Sequence, residues 1–132
     1  MPAKTILIVD DDADDREMLE EAFRETEKDS VIHITENGKA AIAWLNKQQQ
    51  LPDFIFLDLN MPQMDGLQCL KKIRKVERFK DIAVIIYTTS KQEEDKKAGL
   101  ELGATAFITK PNTFKALKKV VADILQHEMK SS

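Results

Sequence analysis

Three acidic residues directly follow two short apolar segments of the chain. Asp10 and Asp11 come after Thr5–Val9, and Asp58 comes after Phe54–Leu57. Both segments are continuous in large apolar side chains, which is typical of strands buried on both faces of a parallel sheet. Ligands of open α/β sheets bind beyond the carboxyl ends of the strands, where these acids stand. Asp58 alone could simply cap the next turn, so its chemistry depends on its neighbours.

Carboxylates gathered in one pocket repel each other. At a separation of about 4 Å the repulsion is about 4 kcal/mol for an effective dielectric constant of roughly 20. Protons or a cation must offset it, and an acidic site of few oxygen ligands favours Mg²⁺ among the hard divalent ions. We therefore predict that Asp10 and Asp11 hold Mg²⁺ beside Asp58.

Two further candidates follow apolar segments nearer the end of the chain. Thr88 follows residues 82–87 and offers a hydroxyl donor, and Lys110 follows residues 105–108 closely and offers a positive charge. A carboxylate can attack phosphorus to give an aspartyl phosphate, and Mg²⁺ with a lysine can neutralise the phosphoryl oxygens. Asp58 is then the predicted nucleophile, and Lys110 and Thr88 are predicted to bind those oxygens.

Alternating strands and helices would position these residues. Continuous apolar runs predict strands at residues 5–9, 31–34, 54–57, 82–87 and 105–108. Apolar residues at helical spacing predict helices over about residues 14–27, 39–49, 67–76, 92–102 and 114–125. This alternation predicts an α/β fold with a parallel sheet covered on both faces and right-handed connections. The fourth helix is highly charged and has few apolar anchors, so we expect it to be the most loosely held.

The order of the strands decides whether the acids meet. In a flavodoxin-like, doubly wound (βα)5 fold, the five parallel strands lie in the order 2-1-3-4-5, with strands one and three adjacent at the switch point. That order brings Asp10, Asp11 and Asp58 into one pocket. We therefore predict this fold class and this strand order.

The composition limits the classes of protein to which the chain can belong. With 132 residues, 42% hydrophobic and 33% charged, the chain suits one soluble globular domain, predicted over 1–128 with a frayed tail at 129–132. A net charge of −3 gives no general attraction to nucleic acid or anionic lipid, so neither is an expected partner. The single cysteine, Cys69, excludes an intramolecular disulfide. Because no apolar run reaches membrane-span length and no signal-peptide pattern is present, we expect a cytoplasmic protein.

Five motifs, in order along the chain, resemble those of a response-regulator receiver domain of two-component signalling. They are Ile8-Val9-Asp10-Asp11, Leu57 to Gly66, Thr88-Thr89-Ser90, Gly103-Ala104 and Lys110-Pro111. Any one motif is weak evidence, but five in this order are specific. The likeness extends from about Thr5 to Leu125.

The resemblance implies a role for each matching residue. Asp58 would be the phosphoacceptor. The metal would be bound by the carboxylates of Asp10 and Asp11 and by the backbone carbonyl of Asn60. Thr88 would supply the switch hydroxyl, and Lys110 would bind the phosphate. Lys110-Pro111 resembles the family's cis peptide bond, which would aim the lysine inward. The protein would not be an enzyme beyond its own phosphorylation and dephosphorylation. In the latter, the side chains of Asn60 and Ser90 would border the attacking water and set the phosphoryl lifetime.

Phe107 stands where many receivers have a switch tyrosine. A phenyl ring can still turn between buried and exposed positions, but it offers no hydroxyl to a partner. Phosphorylation adds up to roughly two negative charges, which should draw Thr88 and Lys110 towards the phosphoryl group. Movement of Thr88 would make room for Phe107 to turn inward, as a shift of an existing equilibrium.

The resemblance also implies partners. A sensor histidine kinase or a histidine phosphotransfer protein would donate the phosphoryl group, and a downstream protein would receive the signal. With no second domain after the last helix, the chain resembles stand-alone, single-domain receivers, and its motifs resemble a subgroup found beside phytochrome-type and other sensor kinases. The family's output surface, on helix four, strand five and helix five, is also the expected surface of any homodimer. Lys91, Phe107 and Lys118 are candidate contacts there.

Two other functions compete with this prediction. A haloacid-dehalogenase-like phosphatase also uses an aspartate after a buried strand, but it needs a second acid two residues later, where this chain has Asn60. A pseudo-receiver would be an unphosphorylated binding module. The complete set of pocket residues argues against that function, and failure to bind Mg²⁺ would favour it.

The acids around the start of the first helix have a simpler interpretation. The spacing of an EF-hand loop is matched in part by Asp10, Asp12, Asp14 and Glu21. Asp15 stands where that loop needs glycine, and a strand rather than a helix precedes it, so we reject the EF-hand. We interpret Asp12, Asp14 and Asp15 as helix-start acids rather than ligands.

Overall fold

The computed structural model describes residues 4–61 and 63–131, with side chains described as far as Gln126 apart from the gap. Its strands are β1 Thr5–Val9, β2 Val31–Thr35, β3 Phe54–Leu57, β4 Ala83–Thr88 and β5 Ala106–Thr109. Its helices are α1 Ala13–Thr26, α2 Gly38–Lys47, α3 Gly66–Arg74, α4 Glu93–Glu101 and α5 Phe114–Ser131, with a 3₁₀ turn at Glu77–Phe79. Every predicted element is present, and the ends differ from prediction by a few residues.

The strands form one sheet in the order β2-β1-β3-β4-β5, and every neighbouring pair is parallel. The predicted fold class and strand order are confirmed. Val9 and Leu57 are register partners across β1 and β3. The residues that follow them, Asp10 and Asp58, therefore leave the sheet at the same level.

Two apolar layers cover the sheet, because alternate residues of a strand point to opposite faces. Helices α2 and α3 cover one face, where the buried side chains include Leu7, Val9, Ile55, Leu57, Ala41, Leu45, Leu70 and Ile73. Helices α1 and α5 cover the other face, where they include Ile6, Ile8, Phe54, Phe56, Leu19, Phe23, Leu117 and Val121. Strands β1, β3 and β4 are thus buried on both faces, as their continuous apolar runs predicted.

Helix α4 has few buried side chains, as its charged sequence indicated. Gly99 is the one residue of α4 that is buried. A Cβ atom at this position would overlap the terminal methyl group of Ile86 on β4 and lie 3.6 Å from the ring of Phe107 on β5. The glycine therefore lets α4 approach the sheet closely where it has little apolar area of its own.

Helix α1 begins at a side-chain cap, and helix α5 extends further than predicted. Asp12 is the N-cap of α1 and accepts from the N–H of Asp15 at 3.1 Å, which agrees with its interpretation as a helix-start acid. Helix α5 continues to Ser131 and so takes in residues 129–131 of the predicted tail, whose sequence is rich in good helix formers. Among the described residues, no helix is long and apolar enough to cross a membrane.

Two arginines hold the amino-terminal end of the sheet. The guanidinium of Arg74 donates to the carbonyls of Gly103 and Ile82, each at 2.9 Å, and to that of Phe79 at 3.2 Å. Arg78 donates to the carbonyls of Leu45 and Gln48 at 2.9 and 2.7 Å. Burial lowers the pKa of Arg74, although the carbonyls compensate for lost water. Neither contact set was predicted from the sequence.

Candidate functional site

Three carboxylates converge at the carboxyl end of the sheet, where the strand order placed them. One oxygen from each of Asp10, Asp11 and Asp58 lies within 4.8 Å of the others. Asp10 and Asp58 are 2% and 5% exposed, whereas Asp11 faces solvent. This group, called the acid pocket below, is buried on the sheet side and open to water on the side of Asp11.

Backbone hydrogen bonds fix Asp10 at the end of β1. Its N–H donates to the carbonyl of Thr35 at 3.2 Å, and its own carbonyl accepts from Nη1 of Arg16 at 2.9 Å. The Oδ1 atom of Asp10 accepts from the N–H of Asp12 at 3.0 Å. One oxygen of this carboxylate is thereby committed to the turn, which leaves Oδ2 for the pocket.

Asp58 is held where β3 meets the loop that leads to α3. Its N–H donates to the carbonyl of Val9 at 3.0 Å, and the nearby N–H groups of Asn60 and Leu59 favour the charged form of its carboxylate. Gly66 packs against this backbone, because a Cβ at position 66 would overlap the carbonyl oxygen of Asp58 and lie 2.7 Å from Cα of Leu59. The start of α3 therefore supports the candidate acceptor from behind.

The charge on Asp58 is disfavoured in this pocket. Burial raises the pKa of the Asp58 carboxyl from 3.8 to about 6, and Asp10 adds to the rise, whereas Lys110 and the two amides oppose it. Since neighbouring carboxylates and desolvation act together, the anion needs a further positive charge to be fully stabilised. Carboxylate oxygens in this arrangement suit a hard divalent cation.

Lys110 brings a positive charge into the acid pocket from the end of β5. Its Nζ atom lies 2.9 Å from Oδ2 of Asp10, 2.7 Å from Oδ2 of Asp15 and 3.8 Å from Oδ1 of Asp58. It also lies 5.4 Å from the centre of the Tyr87 ring, and its side chain is 8% exposed. Burial alone would lower the pKa of Lys110, but the hydrogen bonds to Asp15 and Asp10 raise it. The lysine is therefore a permanent cation at neutral pH.

The Lys110–Pro111 peptide bond is trans, so the cis bond that the resemblance implied is wrong for this structure. The lysine still points inward because its backbone N–H donates to the carbonyl of Thr88 at 2.7 Å. That bond continues the pairing of β4 with β5 for one more residue. The direction of the side chain is then set by the strand end, without a cis bond.

Thr88 ends β4 and is completely buried. Its Oγ1 accepts from the N–H of Ser90 at 3.2 Å, and the hydroxyl of Ser90 donates to Oδ2 of Asp95 at 2.6 Å. Thr109 on β5 donates to the carbonyl of Ser90 at 3.3 Å. A chain of hydrogen bonds thus connects the predicted switch hydroxyl with α4.

The predicted output residues fall in two places. Lys91 and Phe107 line one cavity of about 150 Å³, together with Gln92, Glu93, Lys96 and Thr109. Phe107 is half-buried and packs against the core of the α2/α3 face. Lys118 instead pairs with Glu25 of α1 at 3.0 Å. The cavity lies between α4 and β5, whereas the ion pair of Lys118 connects α5 with α1.

Asp15 is the site residue that sequence reasoning missed. It was interpreted as a helix-start acid, yet it makes the shortest contact with Lys110. The available signal lay in the topology, since α1 and α5 share one face of the sheet and α1 begins just after Asp10, towards which the long Lys110 side chain reaches. Tyr87, whose ring faces the ammonium, was likewise counted only as part of a strand.

A protein-family model for the response regulator receiver domain matches residues 6–122. The chain belongs to that family. Response regulator Rcp1 from Synechocystis sp. is 35% identical over 128 residues, which cover 93% of this receiver domain and 87% of Rcp1. Among solved structures, the phosphorylated cyanobacterial phytochrome response regulator RcpA matches with a TM-score of 0.89 at 27% identity, covering 99% of this chain and 97% of RcpA.

The Mn²⁺-bound form of Rcp1 matches this receiver domain with a TM-score of 0.81 at 35% identity, covering 92% of this chain and 91% of Rcp1. Receiver domains are phosphoacceptors of two-component signalling that bind a divalent metal and are phosphorylated by histidine kinases. The acid pocket supplies the acidic cluster that such a metal requires. The family match therefore supports the receiver function and does not favour the phosphatase or the pseudo-receiver.

Proposed function

We propose that this receiver domain is a phosphorylation switch in which Asp58 accepts the phosphoryl group. The supporting observation is the meeting of three carboxylates within 4.8 Å of one another, with one ammonium 3.8 Å from Asp58. Asp58 is buried, supported by backbone amides and adjacent to the open side of the acid pocket. These are the properties that a carboxylate nucleophile for an incoming anion needs.

The donor set fits Mg²⁺ as the resident metal. The acid pocket and Lys110 together carry a formal charge of −2, from three carboxylates and one ammonium. Asp10, Asp11 and Asp58 would hold the ion, with the backbone carbonyl of Asn60 as a further oxygen ligand. When bound, Mg²⁺ neutralises negative charge on the phosphoryl oxygens. Few protein ligands and an open side suit an ion that retains water.

The chain's own residues then perform the transfer. A carboxylate oxygen of Asp58 attacks phosphorus, an O–P bond forms, and the bond to the donor breaks with its electron pair leaving on the donor atom. The ammonium of Lys110 and the hydroxyl of Thr88 bind the equatorial oxygens of the phosphoryl group. In dephosphorylation, which is a separate step, water attacks phosphorus beside the side chains of Asn60, which is exposed, and Ser90. The bond between phosphorus and the Asp58 oxygen breaks, its electron pair stays on the carboxylate, and inorganic phosphate leaves.

The output is proposed to pass from Thr88 to α4 and β5. Phosphorylation draws the Thr88 hydroxyl towards the new oxygens, which breaks its bond with the N–H of Ser90 and disturbs the bond from Ser90 to Asp95. The movement of Thr88 then makes room for the half-buried Phe107 to turn further inward. The equilibrium between the two positions shifts because phosphorylation stabilises one of them.

The partners follow from this mechanism. A sensor histidine kinase or a histidine phosphotransfer protein donates the phosphoryl group. A downstream protein binds the surface around the cavity that Lys91 and Phe107 line. The same α4-β5-α5 surface is the proposed contact of a homodimer. Two-component signalling by protein binding is thus the proposed output.

Incubation with acetyl phosphate and Mg²⁺, followed by intact mass and size-exclusion chromatography, tests this proposal. We expect the mass of one added phosphoryl group, its absence in Asp58→Asn, and a change in elution if phosphorylation induces a dimer. Steady turnover of an added phosphate monoester would instead indicate the phosphatase. Failure to bind Mg²⁺ by titration calorimetry would indicate the pseudo-receiver.

A further inference from the structure

Asp15 lies outside the acid pocket but makes the shortest contact with Lys110. Its Oδ2 atom is 2.7 Å from Nζ, compared with 2.9 Å for Asp10 and 3.8 Å for Asp58. The first two distances are hydrogen bonds, and the third is beyond hydrogen-bond reach. The ammonium is therefore bonded to α1 and to the end of β1, and is only attracted to the proposed acceptor.

The position of Asp15 is fixed by the start of α1. Its N–H donates to Oδ1 of the N-cap Asp12 at 3.1 Å, and the N–H of Asp12 donates to Asp10 at 3.0 Å. The next residue, Arg16, donates to the carbonyl of Asp10 at 2.9 Å. The first turn of α1 is thus anchored to the end of β1, so Lys110 meets a carboxylate held in place rather than a mobile surface side chain.

A phosphoryl group on Asp58 competes for the same ammonium. Two of the three protons on Nζ are bonded to Asp10 and Asp15, so only one is left for phosphoryl oxygens unless Lys110 gives up one of these bonds. The Asp15 side chain is only 32% exposed, so its bond to Nζ is partly shielded from water. This bond opposes the movement of Lys110 towards a phosphoryl group on Asp58.

We propose that Asp15 is a positioning residue that retains Lys110 in the unphosphorylated protein and thereby slows phosphorylation of Asp58. The inference rests on the proposed function, because it assumes that Lys110 serves the phosphoryl group. It differs from that function in assigning the restraint to a residue outside the metal-binding acids. Asp15 acts through Lys110 and does not touch the reacting atoms.

The test compares Asp15→Asn with Asp14→Asn in the full chain. Asp14 is the preceding residue on the first turn of α1 and is exposed, so its substitution removes the same charge without a contact to Lys110. The initial rate of labelling by limiting acetyl phosphate is measured by intact mass at saturating Mg²⁺. We expect Asp15→Asn to raise the rate roughly three- to tenfold over Asp14→Asn. Asp15→Glu, which keeps the carboxylate, should remain close to the parent chain.

Two further measurements separate a role through Lys110 from a general change in charge or folding. In a Lys110→Met background, the rate difference between Asp15→Asn and Asp14→Asn should disappear. Without any phosphoryl donor, the ¹⁵N resonance of the Lys110 ammonium should shift in Asp15→Asn and stay unchanged in Asp14→Asn. Neither result is expected if Asp15 only stabilises the helix.

Equal rates for Asp15→Asn and Asp14→Asn, or a slower Asp15→Asn, would overturn the inference while labelling of the parent chain left the proposed function intact. A persistent difference in the Lys110→Met background would also overturn it. If the parent chain shows no labelling at Asp58, the proposed function fails first and the role of Asp15 fails with it.

Discussion

Both ends of the sheet hold a partly or largely buried positive charge, but the partners of that charge differ. At the carboxyl end, Nζ of Lys110 lies 2.7 and 2.9 Å from the carboxylates of Asp15 and Asp10. At the amino end, Arg74 donates to backbone carbonyls, two of them at 2.9 Å, those of Gly103 and Ile82. One end therefore pairs a cation with ionisable groups, and the other pairs it with neutral groups of the main chain.

The two kinds of partner indicate a role in chemistry at the carboxyl end and a role in stability at the amino end. The carboxylates near Lys110 can bind a proton, a metal ion or a phosphoryl group, so Lys110 can change partners without a change in the backbone. The carbonyls that Arg74 binds belong to a loop and a strand end, and they cannot change partners unless those elements move. We expect substitutions at the carboxyl end to change phosphorylation, and substitutions at the amino end to change the free energy of unfolding.

The largest expected effect comes from Lys110→Met at the carboxyl end. Loss of the ammonium removes the charge that faces the phosphoryl oxygens, and the rate of labelling by acetyl phosphate should fall roughly 100-fold at saturating Mg²⁺. The matched control is Lys115→Met, because Lys115 is an exposed lysine on α5. Equal labelling rates in the two variants would show that Lys110 takes no part in the transfer step.

Arg74→Met should lower the stability of the protein and leave the rate of labelling unchanged. The substitution removes the donor to the carbonyls of Ile82 and Gly103 and leaves that of Phe79 with only the N–H of Ile82. The free energy of unfolding in urea should therefore fall by about 3 kcal/mol. Folded protein should still be labelled at the parent rate. Lys71→Met, an exposed change on the same helix, is the control. A labelling defect in folded Arg74→Met would show that the two ends are coupled.

Asp58→Asn should stabilise the metal-free protein at alkaline pH. The folded-state pKa of about 6 lies above the ordinary 3.8, so the unfolded chain loses this proton first and the parent loses stability as pH rises through that interval. The full shift corresponds to about 3 kcal/mol, and because the acid pocket is open to water beside Asp11 we expect about 2 kcal/mol at pH about 8.

Urea unfolding with a chelator, at several pH values, measures this gain. The difference between Asp58→Asn and the parent should be small near pH 4, grow until about pH 6 to 7 and then stay constant. Asp123→Asn, at an exposed acid of α5, should show no such interval. A parent protein that is stabilised relative to Asp58→Asn as pH rises would contradict the burial argument.

The fold was largely predictable because its central strands are buried on both faces. Continuous apolar runs located β1, β3 and β4, and the strand order then required Asp10 and Asp58 to end side by side. The acid pocket follows from topology and from the alternation of elements alone. No information about individual side-chain contacts was needed for that step.

The contacts of long charged side chains were not predictable in the same way. Arg74 and Asp15 lie in helices among other charged residues. The apolar pattern of a helix does not show which of its charged side chains contact the rest of the protein. Asp14 and Asp15 differ only by one step of rotation around α1, yet one is exposed and the other binds Lys110. Such contacts depend on where a helix lies against its neighbours, which a single sequence does not specify.

Chemical location of the phosphoryl group tests the central claim most directly. The chain is incubated with acetyl phosphate and Mg²⁺, the acyl phosphate is reduced with borohydride, and the peptides are mapped by mass spectrometry. Reduction converts an aspartyl phosphate to homoserine, and the account predicts homoserine at position 58 alone. Homoserine at position 10 or 11, or none at any position after labelling, would contradict it.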